Sequence, residues 1–245
     1  MTSGVEALAA LARRPLLIVL DYDGTLAPIA PTPEEAVPEA GAREAVAALL
    51  AGGRHLLRVL SGRPSAQVRA FLGSPDLPIV GLHGLEWPGE ALPREHTRTV
   101  AKLAAAVPDF PGRRLEDKGV TLAVHYRATP DDLAGDVQAR LERLPVPEGW
   151  TLLRGKRVVE FRPSGANKGT AVMRLARDAP DHLPVYVGDD VTDEEAFEVL
   201  ADVGGVTIKV GEGETRARHR VASPSDVVTL LRTWANAPSE EGEHG

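Results

Sequence analysis

The sequence predicts an α/β fold, in which a doubly wound parallel-sheet core carries an inserted α+β cap domain. Two observations support this prediction. Short aliphatic runs alternate with helical segments in both the first and the last third of the chain, as in parallel sheets buried on both faces. Between them, one segment alternates apolar and polar residues, which is typical of a sheet with one open face.

The core elements are predicted from these aliphatic runs and from helical spacing. The runs predict strands at Leu16–Leu20, His55–Leu60, Leu77–Val80, Leu183–Val187 and Gly205–Val210. Helical spacing predicts helices at Pro38–Ala51, Pro64–Leu72, Asn167–Arg177, Asp193–Leu200 and Ser223–Trp234. Because alternating strands and helices favour a parallel sheet, we assign residues 1–93 and 164–245 to one catalytic core.

The middle of the chain, residues 94–163, has a different pattern. Helices are predicted at Thr97–Val107 and Asp131–Arg143, and strands at Val120–Arg127, Trp150–Arg154 and Lys156–Arg162. The first of these strands carries His125 and Arg127 on its polar side, and the last carries Glu160 and Arg162 on one face. We therefore expect a cap in which a helix-strand-strand order occurs twice and one sheet face is polar.

Composition excludes several classes of protein. The 245 residues are 43% hydrophobic, which is enough for a packed core. The net charge is -7 with dispersed Lys and Arg, so we expect no nucleic-acid partner, and the lack of cysteine excludes thiolate chemistry. Leu16–Leu20 is too short to cross a bilayer, and Met1–Arg14 does not resemble a secretory signal. We expect a cytoplasmic monomer that acts on a small molecule, without a membrane partner.

Polar residues follow three of the predicted strands where each strand ends. Asp21 and Asp23 follow the first strand, Ser61 follows the second, and Asp189 with Asp190 follows the strand that ends near Val187. In an open parallel sheet, ligands bind beyond the carboxyl ends of the strands. We therefore expect these side chains to meet at one edge of the sheet.

The segment Asp21–Thr25 has the residues of a phosphate-transfer site. Gly24 permits a tight turn, and a hard cation such as Mg²⁺ relieves the repulsion between clustered carboxylates. One carboxylate can then act as nucleophile and the other as general acid and base. Taken alone, the segment also fits a polar turn. An EF-hand loop is disfavoured because its further spaced ligands and closing Glu are missing.

Simple structural roles compete with catalytic ones at other positions. Lys168, taken alone, fits an exposed lysine in the first turn of a helix. Thr192 can cap a helix whose first turn contains Asp193. Capping does not explain Asp189 and Asp190, which lie at the strand end.

The ordered motifs Asp-x-Asp-Gly-Thr, Ser, Lys and Gly-Asp-Asp resemble the haloacid-dehalogenase (HAD) superfamily of phosphatases. The resemblance covers the core. It implies that Asp21 is the nucleophile and Asp23 the general acid and base. It also implies that Ser61 bonds the phosphate and that Lys168 neutralises the developing charge. The implied Mg²⁺ site uses Asp21, the backbone carbonyl of Asp23 and Asp189, with Asp190 or Asp193 positioning a metal-bound water.

Finer features resemble the trehalose-6-phosphate phosphatases, and the similarity extends over nearly the full chain. They are the segments Leu20–Ile29, Ser61–Arg63, Gly81–Gly84, Glu116–Lys118, His125–Arg127, Glu160–Pro163, Asn167–Gly169 and Gly188–Glu194. The resemblance implies hydrolysis of trehalose 6-phosphate in trehalose biosynthesis, with a cap that binds the sugar. The implied substrate contacts are Glu116, Lys118 and Glu160, then His125 and Arg127, with Arg63 and His83 where core and cap adjoin.

Other functions remain open. A sucrose-phosphate or mannosyl-3-phosphoglycerate phosphatase would use the same chemistry, although the Glu-x-Lys and His-Tyr-Arg segments of the cap argue against both. The polar cap face also fits a solvated surface with cross-strand ion pairs. A non-catalytic sugar-phosphate sensor should have lost a catalytic residue, and none is missing. A phospho-acceptor signalling domain is disfavoured by Asp23 and by the cap.

Overall fold

The computed structural model describes residues 7–155 and 157–237. The strands are β1 (Leu16–Leu20), β2 (Leu56–Leu60), β3 (Ile79–Val80), β4 (Arg114–Asp117), β5 (Leu122–His125), β6 (Trp150–Gly155), β7 (Val158–Pro163), β8 (Leu183–Gly188), β9 (Val206–Val210) and β10 (His219–Val221). The helices are α1 (Ala42–Gly52), α2 (Ser65–Leu72), α3 (Arg94–Ala106), α4 (Asp131–Glu142), α5 (Lys168–Arg177), α6 (Glu194–Asp202) and α7 (Pro224–Ala235). Within the described ranges, every helix is too short or too polar to cross a bilayer.

The chain divides into two compact units, which are described separately. The first unit comprises Met1–Pro88 with Asn167–Gly245, and the second comprises Gly89–Ala166. The second unit is therefore longer at both ends than the predicted insertion, residues 94–163. The predictions for residues 1–6, for Lys156 and for the tail 238–245 lie outside the described residues.

The first unit contains a six-stranded sheet in the order β10-β9-β8-β1-β2-β3. All of its neighbouring strands pair in parallel, and β1 lies between β8 and β2. The predicted fold class is confirmed. Since the strands run in the same direction, the residues that follow β1, β2 and β8 lie at one edge of the sheet.

Both faces of this sheet are buried. In β1, Leu16, Ile18 and Leu20 pack in the core cluster that includes α1 and α7. Leu17 and Val19 pack in the opposite cluster, with residues of α5 and α6. A continuous aliphatic strand is therefore needed here, because successive side chains enter different cores.

The second unit contains a four-stranded antiparallel sheet in the order β4-β5-β7-β6. Its apolar core joins residues of α3 and α4 to Leu122, Val124 and Phe161 of the sheet. The chain order α3-β4-β5-α4-β6-β7 repeats helix-strand-strand twice, as predicted. In β7, the buried Val159 and Phe161 alternate with the less buried Val158 and Glu160, as in a strand with one apolar face.

Two strands and several element boundaries differ from the sequence-based expectations; the helix predicted over Pro38–Ala51, for example, begins at Ala42. No strand was predicted at β4, whose residues are mostly charged, or at the three-residue β10. The strand predicted over Val120–Arg127 covers only Leu122–His125. Arg127 therefore lies outside the strand, because the chain turns where the Thr129 amide donates to the Tyr126 carbonyl at 3.1 Å. Its expected position on the polar strand face is wrong.

Candidate active site

Lys168 connects two carboxylates of the first unit. Its ammonium Nζ lies 3.0 Å from Oδ1 of Asp21 and 2.6 Å from Oδ1 of Asp193. Only 2% of the Lys168 side chain is exposed, so the surface-lysine interpretation is wrong. The lysine begins α5 directly after Asn167, whose side chain accepts from the Thr170 amide at 2.7 Å and caps the helix. The capped helix start thus fixes where the ammonium lies.

Asp193 is fully buried, and four donors surround its carboxylate. Oδ1 accepts from Lys168 and, at 2.7 Å, from the Tyr186 hydroxyl. Oδ2 accepts from the amides of Asp189 and Asp190, at 2.9 and 2.8 Å. A carboxylate offers about four acceptor positions, so protein donors occupy the acceptor capacity of Asp193. This residue connects β8, α5 and the loop after β8.

Asp21, Asp189 and Asp193 form a cluster of acids. One carboxylate oxygen from each lies within 4.8 Å of the others. Gly24 lies against the cluster with φ of 71°, and a Cβ at this position would collide with the Asp189 carboxylate. The glycine is therefore needed both for the turn conformation and for the close approach of Asp189.

Burial sets the ionisation of this cluster. It raises the pKa of the Asp21 carboxyl, which Lys168 opposes and the neighbouring acids reinforce. It also raises the pKa of Asp189 to about 7, together with the charges of Asp193 and Asp190. Burial alone would lower the pKa of Lys168, but Asp193 and Asp21 together raise it above its usual value. The ammonium therefore stays charged beside Asp21.

The donor set fits a divalent metal ion. Carboxylate oxygens are the ligands that hard cations prefer, and Asp21 and Asp189 are the two acids of the cluster whose oxygens are not fully used by protein donors. A cation would also relieve the repulsion that raises their pKa values. Asp21 and Asp189 are therefore the residues suited to hold such a cation.

Asp23 is held by Arg63 rather than by the acid cluster. Nε and Nη2 of Arg63 donate to the two oxygens of Asp23 at 2.7 and 2.6 Å, and Nη1 donates to the Pro33 carbonyl at 2.7 Å. The guanidinium carbon lies 5.6 and 5.5 Å from the ring centroids of Tyr22 and Phe71. The bidentate ion pair with Arg63 therefore fixes the orientation of the Asp23 carboxylate.

A backbone hydrogen bond joins Ser61 and His83. Ser61 is fully buried after β2, and its Oγ accepts from the Arg63 amide at 3.1 Å. The His83 amide donates to the Ser61 carbonyl at 2.9 Å. Leu82 and His83 have φ of 53° and 56°, a strained conformation for residues with side chains. The loop after β3 is thereby joined to the loop after β2.

Asp190 has a different environment from the other acids. It is exposed, and its carboxylate accepts from the Val191 amide at 2.6 Å at the start of the short helix Val191–Asp193. Helix capping therefore explains Asp190, contrary to the sequence-based interpretation. The expected cap at Thr192 is wrong, because Asp190 and Asp193 form the capping box instead. A role for Asp190 in positioning metal-bound water stays a prediction.

The second unit brings several predicted sugar contacts together on its polar sheet face. Glu116, Ala123 and Glu160 are directly paired across β4, β5 and β7, and so share that face. Lys118 Nζ lies 3.3 Å from Oε1 of Glu160, which also accepts from the hydroxyl of Thr121 at 2.9 Å.

Next to this row, His125 Nε2 lies 2.8 Å from Oε2 of Glu116, and this hydrogen bond lowers the pKa of the glutamic acid. Arg127 is exposed beyond the end of β5. Its proposed contact with substrate stays a prediction.

Tyr186 and Lys209 were not predicted from the sequence. Both lie in aliphatic strands, β8 and β9, and both are buried. Burial and the charge of Asp193 raise the pKa of Tyr186, so its hydroxyl stays a donor. Lys209 donates to the backbone carbonyl of Asp189. The sequence does contain a signal for Lys209, a lysine within an aliphatic strand, because a buried lysine almost always has a partner.

Comparisons with known proteins identify the family of the chain. A model of the family described as Trehalose-phosphatase matches residues 19–227. Trehalose-6-phosphate phosphatase of Escherichia coli K12 is 32% identical over 239 residues, covering 91% of this chain and 88% of that protein. A crystal structure described as a trehalose-6-phosphate phosphatase related protein aligns with a TM-score of 0.74 and 31% identity, covering 89% of this chain and 96% of that one.

The fold has a further match of lower identity. The C-terminal domain of trehalose-6-phosphate phosphatase from C. albicans aligns with a TM-score of 0.79, covering 96% of this chain and 98% of that one. Its identity is 23%, so this match concerns the fold alone.

Proposed function

Since the chain belongs to the trehalose-phosphatase family of phosphoric monoester hydrolases, we propose that it hydrolyses trehalose 6-phosphate to trehalose and phosphate through an aspartyl-phosphate intermediate. The observation that carries this proposal is the buried contact of 3.0 Å between Asp21 and Lys168 at the end of β1. In this contact, the carboxylate proposed as nucleophile lies beside a positively charged ammonium. Trehalose biosynthesis is the corresponding role in the cell.

The first step transfers the phosphoryl group to Asp21. An oxygen of its carboxylate attacks phosphorus, the bond between phosphorus and the sugar oxygen breaks, and the Asp23 carboxyl gives its proton to that oxygen. Lys168 stabilises the negative charge on the phosphoryl oxygens, and the hydroxyl of Ser61 donates to one of them.

The second step regenerates the enzyme. Asp23, now a carboxylate, takes a proton from water as the water oxygen attacks phosphorus. The bond between phosphorus and Asp21 breaks, which releases inorganic phosphate and restores the Asp21 carboxylate. The protonated Asp23 is then ready for the next substrate, so protons and atoms balance over the cycle.

We infer that Mg²⁺ is the cation held by Asp21 and Asp189, with the backbone carbonyl of Asp23 as a third ligand. The support is the all-oxygen donor set and the mutual repulsion of the acids. When bound, the ion supplies positive charge beside the phosphoryl oxygens. Asp193 keeps Lys168 and the loop after β8 in place, and its oxygens are already engaged by four donors.

The polar sheet face of the second unit is the proposed sugar-binding surface. Glu116, Lys118, Glu160 and His125 offer both donors and acceptors, which sugar hydroxyls require. An unpaired buried hydroxyl is costly, so such a face can discriminate among disaccharides. Arg127 and His83 are weaker candidates for the same role. Arg63 is another, although its donors already bind Asp23 and Pro33.

A substrate panel with an acid quench tests the proposal. Phosphate release should be fastest from trehalose 6-phosphate, compared with sucrose 6-phosphate and mannosyl-3-phosphoglycerate. Quenching the wild type during turnover of radiolabelled substrate should leave label on the protein that hydroxylamine removes. Equal rates on trehalose and sucrose phosphates would reject the narrow specificity. Protein without label under rapid quench would reject the covalent intermediate.

Glu160→Gln tests the role of the sugar-binding face. We expect it to raise the KM for trehalose 6-phosphate about tenfold or more while leaving hydrolysis of p-nitrophenyl phosphate nearly unchanged. Lys102→Met, an exposed change on α3, is the control for altered charge in the same unit. A KM that does not change for Glu160→Gln would remove this glutamate from the sugar site.

A further inference from the structure

Lys209 is a buried cation that the reaction described above does not use. It is 6% exposed and lies near the end of β9, paired in register with Gly188, the last residue of β8. Its ammonium donates to the backbone carbonyl of Asp189. Burying an ammonium is costly unless it is bonded, so this contact and the nearby acids account for its position.

The carbonyl that Lys209 binds belongs to the peptide group between Asp189 and Asp190. The amide of that same group donates to Oδ2 of Asp193 at 2.8 Å. Because a peptide group is planar, donors and acceptors at its two ends fix the orientation of the whole plane. Lys209 and Asp193 therefore hold one peptide plane from opposite sides.

The peptide group on the other side of Asp189 is fixed as well. The Asp189 amide donates to Oδ2 of Asp193 at 2.9 Å. With both adjoining planes fixed, the backbone dihedrals of Asp189 are fixed, and so is the direction of its Cβ. The carboxylate then packs against Gly24, where a side chain would collide with it. Its oxygens are in this way brought near those of Asp21.

We propose that Lys209 is a positioning residue, which aims the Asp189 carboxylate at the divalent cation by holding the peptide group that follows Asp189. The inference rests on the metal site of the proposed function. In this role, Lys209 acts through the peptide group rather than by binding substrate or cation itself. Groups that orient a metal ligand typically affect metal affinity about 10–100-fold.

Calorimetric titration of Mg²⁺ and Mn²⁺ into the metal-free full chain tests this role. Lys209→Met should weaken the binding of both ions about 10–100-fold. The Mg²⁺ concentration for half-maximal activity should rise by the same factor, with the KM for the sugar phosphate unchanged at saturating metal. Lys209→Gln keeps a neutral donor, so its metal affinity should lie between those of the wild type and Lys209→Met. Lys102 is an exposed lysine outside the site, so Lys102→Met should bind both ions as tightly as the wild type does.

Asp189→Asn separates this inference from the proposed metal site. If this variant keeps wild-type metal affinity, the metal site itself is wrong. If it loses affinity while both Lys209 variants keep it, only the role of Lys209 is overturned. Urea unfolding in EDTA is measured for each variant. Failure of both Lys209 variants to fold would also overturn the proposal, because the lysine would then stabilise the sheet rather than position one ligand.

Discussion

Arg63 binds both carboxylate oxygens of Asp23, with Nε and Nη2 at 2.7 and 2.6 Å. Its side chain is 11% exposed, and its guanidinium also lies against the rings of Tyr22 and Phe71. The orientation of the proposed general acid and base, Asp23, is therefore set by a residue of the loop that follows the next strand, β2. Ser61–Arg63 was expected to serve the substrate, and this pair gives Arg63 a second role.

Arg63→Lys should lower kcat about 100-fold, because a lysine cannot reproduce the planar fork that orients Asp23. KM should change little if Arg63 acts through Asp23. Steady-state kinetics on trehalose 6-phosphate separate the two roles. A large rise in KM at unchanged kcat would instead make Arg63 a substrate contact.

Gly24→Ala should impair metal binding as well as stability. Alanine at φ of 71° costs about 1–2 kcal/mol, and its Cβ would displace the Asp189 carboxylate. Gly53→Ala is the matched control, because Gly53 has φ of 65° and open space around it. Both variants should lose similar backbone stability in urea unfolding, but only Gly24→Ala should bind Mg²⁺ more weakly by calorimetry. Equal metal affinities would show that Asp189 does not need the space at Gly24.

Tyr186→Phe should destabilise the protein by about 1–2 kcal/mol, since it removes a buried donor to the Asp193 carboxylate. Lys168 remains bonded to the same oxygen, so the fold should survive. We expect a modest decrease in kcat, because Asp193 would hold Lys168 less firmly. Urea unfolding and steady-state kinetics measure both effects. Wild-type stability would mean that the hydroxyl contributes nothing to the cluster.

Glu116 should contribute stability that depends on pH. The hydrogen bond from His125 lowers its pKa below the usual 4.5 in the folded state. For an acid with a lowered folded pKa, the contribution is present above the unfolded pKa and disappears as pH falls through the folded value. Because the pair is partly exposed, the effect should be below about 1 kcal/mol.

Hydrogen exchange of the β5 amides, compared between wild type and Glu116→Gln, measures this contribution. Wild type should be better protected near pH 6, and the difference should vanish well below pH 4.5. A difference that grows on acidification would contradict the assigned direction of the pKa shift.

The central elements could be predicted because buried parallel strands need uninterrupted aliphatic residues. The predicted strand Leu16–Leu20 coincides with β1, and the polar residues after it lie at the expected sheet edge. The helix-strand-strand repeat of the second unit was also predicted. The strand β4 was missed because Arg114–Asp117 shows one apolar residue among charged ones, which gives no period to detect.

The partners of the site residues could not be read from the sequence. The family resemblance implied the roles of Asp21 and Lys168, but it could not show that Asp193 would be bonded by Tyr186 and two backbone amides. Such contacts depend on which side of a buried strand a residue faces and on the loop geometry beyond it. For the same reason, Arg127 was placed on a strand that ends two residues earlier.

Phosphate release from trehalose 6-phosphate by wild type and by Asp21→Asn, each with Mg²⁺ and with EDTA, tests the role of Asp21 most directly. The wild type with Mg²⁺ should turn over, and EDTA should abolish this activity. Asp21→Asn should lose about 10⁴-fold or more in kcat while unfolding cooperatively like a native protein. Activity near that of the wild type in a folded Asp21→Asn variant would contradict Asp21 as the nucleophile.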